Sequence, residues 1–140
     1  MLSKKTIICP ENLLKIAKTK GPVKVVIVNA GKPIAIESAK QAVDENLIEP
    51  IFVGNKLIIE QLAKDIKWDL SMYEIINEPI ENNTALIAAR LASEEKVKII
   101  VKGHIHTDIL MKAVLKRNLN LIGKKRLSHV WHMTLEKNDK

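Results

Sequence analysis

An α/β three-layer sandwich (α/β/α) with a mostly parallel sheet is the fold class this sequence predicts, and three observations lead there. Four short runs rich in Val and Ile recur at near-even spacing, over residues 23–28, 51–53, 73–76 and 97–101. None of them sustains an alternation of polar and apolar residues, which marks strands covered on both faces. Between the runs, apolar residues return at helical period. Strand and helix therefore alternate, and right-handed crossovers place helices on both faces of the sheet.

Each element has its own local reason. Residues 11–18 predict a short helix that packs Leu13, Leu14 and Ala17. After the first strand, Pro33 suits the first position of a helix, where its missing N–H costs nothing. Ile36, Ala39, Val43 and Leu47 make that helix's apolar stripe. Beyond the second strand, Asn55 can cap a helix whose stripe is Ile59, Leu62, Ala63 and Ile66. Asn82 or Asn83 is the expected cap of a helix carrying Ala85, Ala88, Ala89 and Ala92. The fourth strand leads into a helix from Thr107 or Asp108 to about Asn118. It should turn Leu110, Met111, Val114 and Leu115 inward and Lys112, Lys116 and Arg117 outward. A turn over 119–125 precedes an expected last strand over 127–135. The resulting organisation is a helical segment at 1–22 packed on a single α/β domain at 23–136, with a frayed end at 137–140.

Composition narrows the function classes. The chain has 140 residues, 46% apolar, with 10 Gly and Pro together, enough to fill one core and to exclude disorder. No window holds the roughly 18 apolar residues of a membrane span, and the apolar run at 7–10 is too short for a signal peptide. A cytoplasmic protein with no membrane association is expected. A single cysteine, Cys9, excludes a disulfide-stapled scaffold and fits a reducing compartment. Without a neighbouring cation or His, Cys9 is expected to be inert. The net charge of +7 points to a polyanionic partner. Nine basic residues between Lys96 and Arg126 face one acid, Asp108, so the rest of the chain is left at −1. That segment has no aromatic residue on which a base could stack, which argues against nucleic acid.

In an open parallel sheet, ligands sit beyond the carboxyl ends of the strands. The loops there are 29–32, 54–56, 77–83 and 102–108. Asn29-Ala30-Gly31-Lys32-Pro33 fits neither G-x-x-x-x-G-K-[ST] nor G-x-G-x-x-G, so the ATPase and dinucleotide fingerprints are absent and Gly31 reads as a tight turn. Lys102-Gly103-His104-Ile105-His106-Thr107-Asp108 says more. It joins a cation, a glycine that permits close backbone approach and a hydroxyl beside free helical amides, a combination suited to a phosphate oxygen. Capping alone would explain Thr107 and Asp108 but leaves Lys102 without a reason. His104 and His106, with His129 and His132 further on, invite a metal, but no suitably placed carboxylate completes a ligand set and none is expected. Ser128 and His129 would point to opposite faces of a strand and lack the G-x-S-x-G elbow, so a nucleophile and base pair does not follow from spacing.

Three stretches together resemble a known family, the phosphate acetyl/butyryl transferases. Residues 102–115 look like its K-G-x-x-x-T motif and following helix, Gly123 to Val130 like its G-x-x-x-L-S-H-V signature, and Leu47 to Gly54 like its second strand. The resemblance covers about 23–135 and only the family's N-terminal half, the first lobe of an isocitrate/isopropylmalate dehydrogenase-like fold. It implies reversible acyl transfer between coenzyme A and inorganic phosphate, with coenzyme A as substrate and no metal or cofactor. It also implies Lys102, Gly103, Thr107 and Arg126 as binding residues for phosphate or acyl phosphate, and Ser128 and His129 as catalytic groups. Family members continue into a second lobe that shares the cleft. Self-association or a chain supplying that lobe is therefore expected. A non-catalytic phosphate-binding or coenzyme A-binding remnant, or an interaction module, is the alternative, and a basic nucleic-acid-binding protein a weaker one.

Overall fold

A computed structural model of the chain describes residues 9–123 and 126–131. The strand at its centre is β1 (Val23–Val28). Val25, Val26, Ile27 and Val28 there are all at most 2% exposed. β1 pairs in parallel with β2 (Ile48–Gly54) on one side and with β4 (Ile99–Lys102) on the other. The three-residue β3 (Ile75–Asn77) adds to the outer side of β2, so the strand order is β3-β2-β1-β4.

Alternate β1 side chains enter different layers, as the two-residue period of a strand requires. Val25 and Ile27 join Ile36 and Ala39 of α2 (Pro33–Asp44) and Ile59 and Ala63 of α3 (Lys56–Asp65). Val26 and Val28 join Ala85, Ala88 and Ala89 of α4 (Glu81–Ser93) and Leu110 and Ala113 of α5 (Thr107–Val114). The expected three layers are present.

Local signals behave as expected at two helix starts. Pro33 occupies the first turn of α2, and the Asn55 side chain accepts a hydrogen bond from the Ile58 N–H at 3.3 Å. α4 differs. It begins at Glu81, ahead of both candidate asparagines, and Ile80 at its N-cap makes no side-chain cap. Asn83 instead donates to Glu78, which also accepts the Ile80 N–H at 2.8 Å.

β2 begins three residues earlier than its apolar run and contains Pro50. A proline inside a sheet needs a reason, because it cannot donate to a ladder. The Phe52 N–H donates toward β3, to Glu74 at 2.9 Å, so Pro50, two residues before it, faces the same way. β3 pairs with β2 only from Phe52 onward, and nothing there demands the missing donor.

Three packing expectations are corrected. α1 (Glu11–Lys18) is a helix, but it buries none of its residues, and Leu13 stays 41% exposed; an ion pair joins its Lys18 to Glu45 after α2. α5 ends at Val114 rather than near Asn118, and a separate 3₁₀ turn follows at Arg117–Leu119. Leu115 is accordingly half exposed, and Ala113 is buried in its place. Residues 127–131 form no strand, and Leu127, Val130 and Trp131 are exposed. They pair with none of the four described strands, so no ladder fixes an extended geometry. The rest of that expected strand, His132, and the terminal 137–140 fall outside the described residues.

Candidate functional site

The order β3-β2-β1-β4 makes neighbours of β1 and β4, which send their chains to opposite faces. From β1 the chain turns into α2 on one layer, and from β4 it turns into α5 on the other. Such a switch point leaves a crevice at the carboxyl ends of the two strands. Asn29 follows β1 there, and Lys102 ends β4 opposite Val28.

Backbone contacts lock this corner. The Gly103 N–H donates to Val28 O at 3.0 Å and the His104 N–H to Asn29 O at 2.9 Å. A Cβ on Gly103 would stand 2.4 Å from Val28 O and 2.8 Å from Asn29 O. The backbone whose approach Gly103 permits is thus that of β1. Asn29 adopts a left-handed φ of 53° and donates its side-chain amide to His104 O, a conformation asparagine tolerates better than most residues.

Beside the corner lies a recess of about 260 Å³ lined by Asn29, Glu81, Lys102, His104, Ile105 and His106. Glu81, in the first turn of α4, accepts the His106 N–H at 2.6 Å and lies 2.9 Å from His106 Nδ1. These bonds, the backbone one foremost, hold its carboxyl below the ordinary carboxylate value. A proton on His106 Nδ1 would face that carboxylate and donate to it. Among the described residues, Lys102 meets no carboxylate, whereas Lys96, Lys98 and Lys112 are each paired with one. Lys112 faces outward as expected and is tied there to Asp108 at 3.1 Å.

The residues singled out from sequence divide into two groups. Lys102 and Gly103 belong to the corner. Thr107 opens α5 as its first residue, is exposed, and is not the cap: His106 stands at the N-cap, without a side-chain bond. Arg126, Ser128 and His129 lie in the exposed stretch 126–131, and none of them lines the recess beside Lys102. The His129 ring packs against Trp131, with centroids 4.8 Å apart. Asn29 and Glu81 also line the recess, within stretches that face the site but outside any motif. Glu81 sits 25 positions from its partner, and no local pattern announces such a contact. A larger recess of about 720 Å³ lies at the other sheet edge, against α3 and Trp68, and contains none of the motif residues.

No family model matches the chain. Individual proteins do. Phosphate acetyltransferase of Rickettsia typhi is 34% identical over 124 residues, which is 89% of this chain and 36% of that protein. Phosphate butyryltransferase of Clostridium beijerinckii is 32% identical over 120 residues, 86% of this chain and 40% of that protein. The chain is homologous to part of the phosphate acetyl/butyryl transferases. It spans between a third and a half of the length of these relatives. Among solved structures, a phosphotransacetylase from Streptococcus pyogenes superposes with a TM-score of 0.65 at 17% identity, covering 78% of this chain and 43% of that one. EutD phosphotransacetylase from Staphylococcus aureus gives 0.60 at 20% identity, covering 80% and 42%. At those identities the likeness is one of fold, an α/β domain with a parallel sheet.

Proposed function

We propose that this domain binds inorganic phosphate or an acyl phosphate at the carboxyl ends of β1 and β4, and serves reversible acyl transfer between coenzyme A and phosphate. The observation that carries the reading is the ammonium of Lys102, without a carboxylate partner among the described residues, at the rim of a recess at the switch point. In that reaction a thiolate forms a C–S bond at the acyl carbonyl while the C–O bond to phosphate breaks. Charge grows on the carbonyl oxygen and on the departing phosphate, and a fixed cation beside oriented N–H donors stabilises it. Arg126, Thr107, Ser128 and His129 take part in the same proposal on the strength of the motifs alone. Acyl-CoA and phosphate are its substrates, no resident cofactor is invoked, and a cytoplasmic setting suits both. No helix among the described residues is long and apolar enough to cross a membrane.

Completion of the cleft by a second polypeptide belongs to this reading. Among the described residues β4 is an edge strand of the sheet, an invitation to further structure. The non-catalytic alternative has one observation in its favour: Arg126, Ser128 and His129 are not among the residues that line the recess beside Lys102. Calorimetric titration of the chain with inorganic phosphate tests binding. Lys102→Ala should weaken it about tenfold, the scale of one charge-assisted hydrogen bond. Unchanged affinity in a stably folded variant refutes the assignment. Release of coenzyme A from acetyl-CoA or butyryl-CoA with phosphate is then assayed, for this chain alone and with a chain covering the remainder of a relative. Silence in both, with phosphate still bound, selects the non-catalytic reading.

A further inference from the structure

The β4 corner has a second side. On the face opposite the polar recess, α2 and β4 stand apart and leave a slot of about 410 Å³, within the range of small-molecule sites. Ile27 and Ile48 of the sheet, Ala35 and Ala42 of α2 and Val101 of β4 are among its walls. Val101 is left 37% exposed there, although its strand neighbour Ile27 is buried. The charge around the slot is one-sided. Lys32, just before α2, and Lys102, at the end of β4, both border it at the carboxyl end of the sheet, and no Asp or Glu does. Among the described residues neither lysine is ion-paired, unlike Lys40 and Lys56 on the neighbouring helices. Lys102 and His104 border this slot and the polar recess alike.

An apolar trough that ends at two lysines is complementary to one kind of small molecule, an anion with a hydrocarbon tail. We infer that the slot between α2 and β4 holds the acyl chain of an acyl phosphate whose anionic head lies at Lys102 and Lys32. This rests on the phosphate reading of the β4 end and extends it to the substrate's chain. The domain would then favour acyl groups longer than acetyl, because a two-carbon unit leaves most of the slot's apolar wall wet.

Stable alkylphosphonates of rising length, from methyl to pentyl, are suitable probes, titrated beside inorganic phosphate into the full 140-residue chain. Burial of each methylene should raise affinity about fourfold, from about 0.8 kcal/mol per buried CH₂. Ala42→Leu or Ala35→Leu, both on the half-buried side of α2, narrows the slot and should flatten the series; a urea transition for each variant confirms folding. Affinity that does not rise with length while phosphate still binds overturns the slot and spares the phosphate site. A rise that persists in both folded variants overturns it as well. Sedimentation that shows a dimer abolished by Ala42→Leu assigns the slot to a second copy of the chain instead. If neither phosphate nor any phosphonate binds, the underlying reading fails along with this one.

Discussion

Replacing Gly103 by alanine is the most direct test of the corner on which the site is built. A methyl group there would stand 2.4 Å from Val28 O, 2.8 Å from Asn29 O and 3.1 Å from Asn29 C. All three atoms are backbone, and Val28 is fully buried, so no flexible side chain can give way. β4 must draw back from β1, and that loosens the bonds from Gly103 N to Val28 O and from His104 N to Asn29 O. Two backbone hydrogen bonds are worth about 1 kcal/mol each, and forced overpacking adds about 1–3 kcal/mol. The expected loss is therefore about 3–5 kcal/mol, a large share of the roughly 5–15 kcal/mol that holds a domain together. Urea unfolding followed by circular dichroism measures it. Gly21→Ala is the control: its φ of 73° is left-handed, but nothing lies within 4 Å of the added methyl. That change should cost only the conformational strain, about 1–2 kcal/mol. Equal losses at the two positions, or a Gly103→Ala transition within about 0.5 kcal/mol of the parent, would refute the claim that close approach to β1 sets residue 103.

Two further outcomes are expected. The Glu81 carboxyl is held below its ordinary value of 4.5 by the His106 backbone and ring N–H groups, so its contribution to stability is complete above that value and is lost as the pH falls through the lower folded value. Melting temperature should thus fall more steeply for the parent than for Glu81→Gln as acid is added below about pH 5, and parallel curves would remove Glu81 as the tie between α4 and α5. Thr107→Ala should change stability by less than about 0.5 kcal/mol, since the side chain is exposed and caps nothing; a loss near 1 kcal/mol in the urea transition, the usual cost of a lost cap, would show that it caps α5 after all.

Elements whose evidence is local read well from the chain. The Val-Ile run at residues 25–28 of β1 reads as a strand buried on both faces, and Pro33 and Asn55 mark helix starts through chemistry confined to one turn. Where two local signals competed, packing chose between them. Asn82 and Asn83 offered caps, but α4 starts at Glu81, whose carboxylate finds the His106 N–H across 25 residues. Leu115 has the right period for the core and lies outside it, because α5 stops at Val114. Leu127, Val130 and Trp131 look like a strand, but they have no neighbouring strand to bond and stay exposed. Amphipathic pattern offers a face for burial without supplying the surface that buries it, and α1, with no buried residue, shows the same limit.

Lys102 and Gly103 could be picked out because a cation and a glycine after a buried strand are informative wherever the strand lies. Their partners could not. Which loop comes to stand beside residue 102 depends on strand order, and β4 lands next to β1 rather than next to β3, its predecessor in the chain. That choice brings Asn29 to His104 and opens the crevice. Periodicity and turn chemistry act over a handful of residues and are written into the chain. The meeting of residues 29, 81 and 102 is a matter of sheet order, because contacts between distant segments exist only once the layers have closed around a common core.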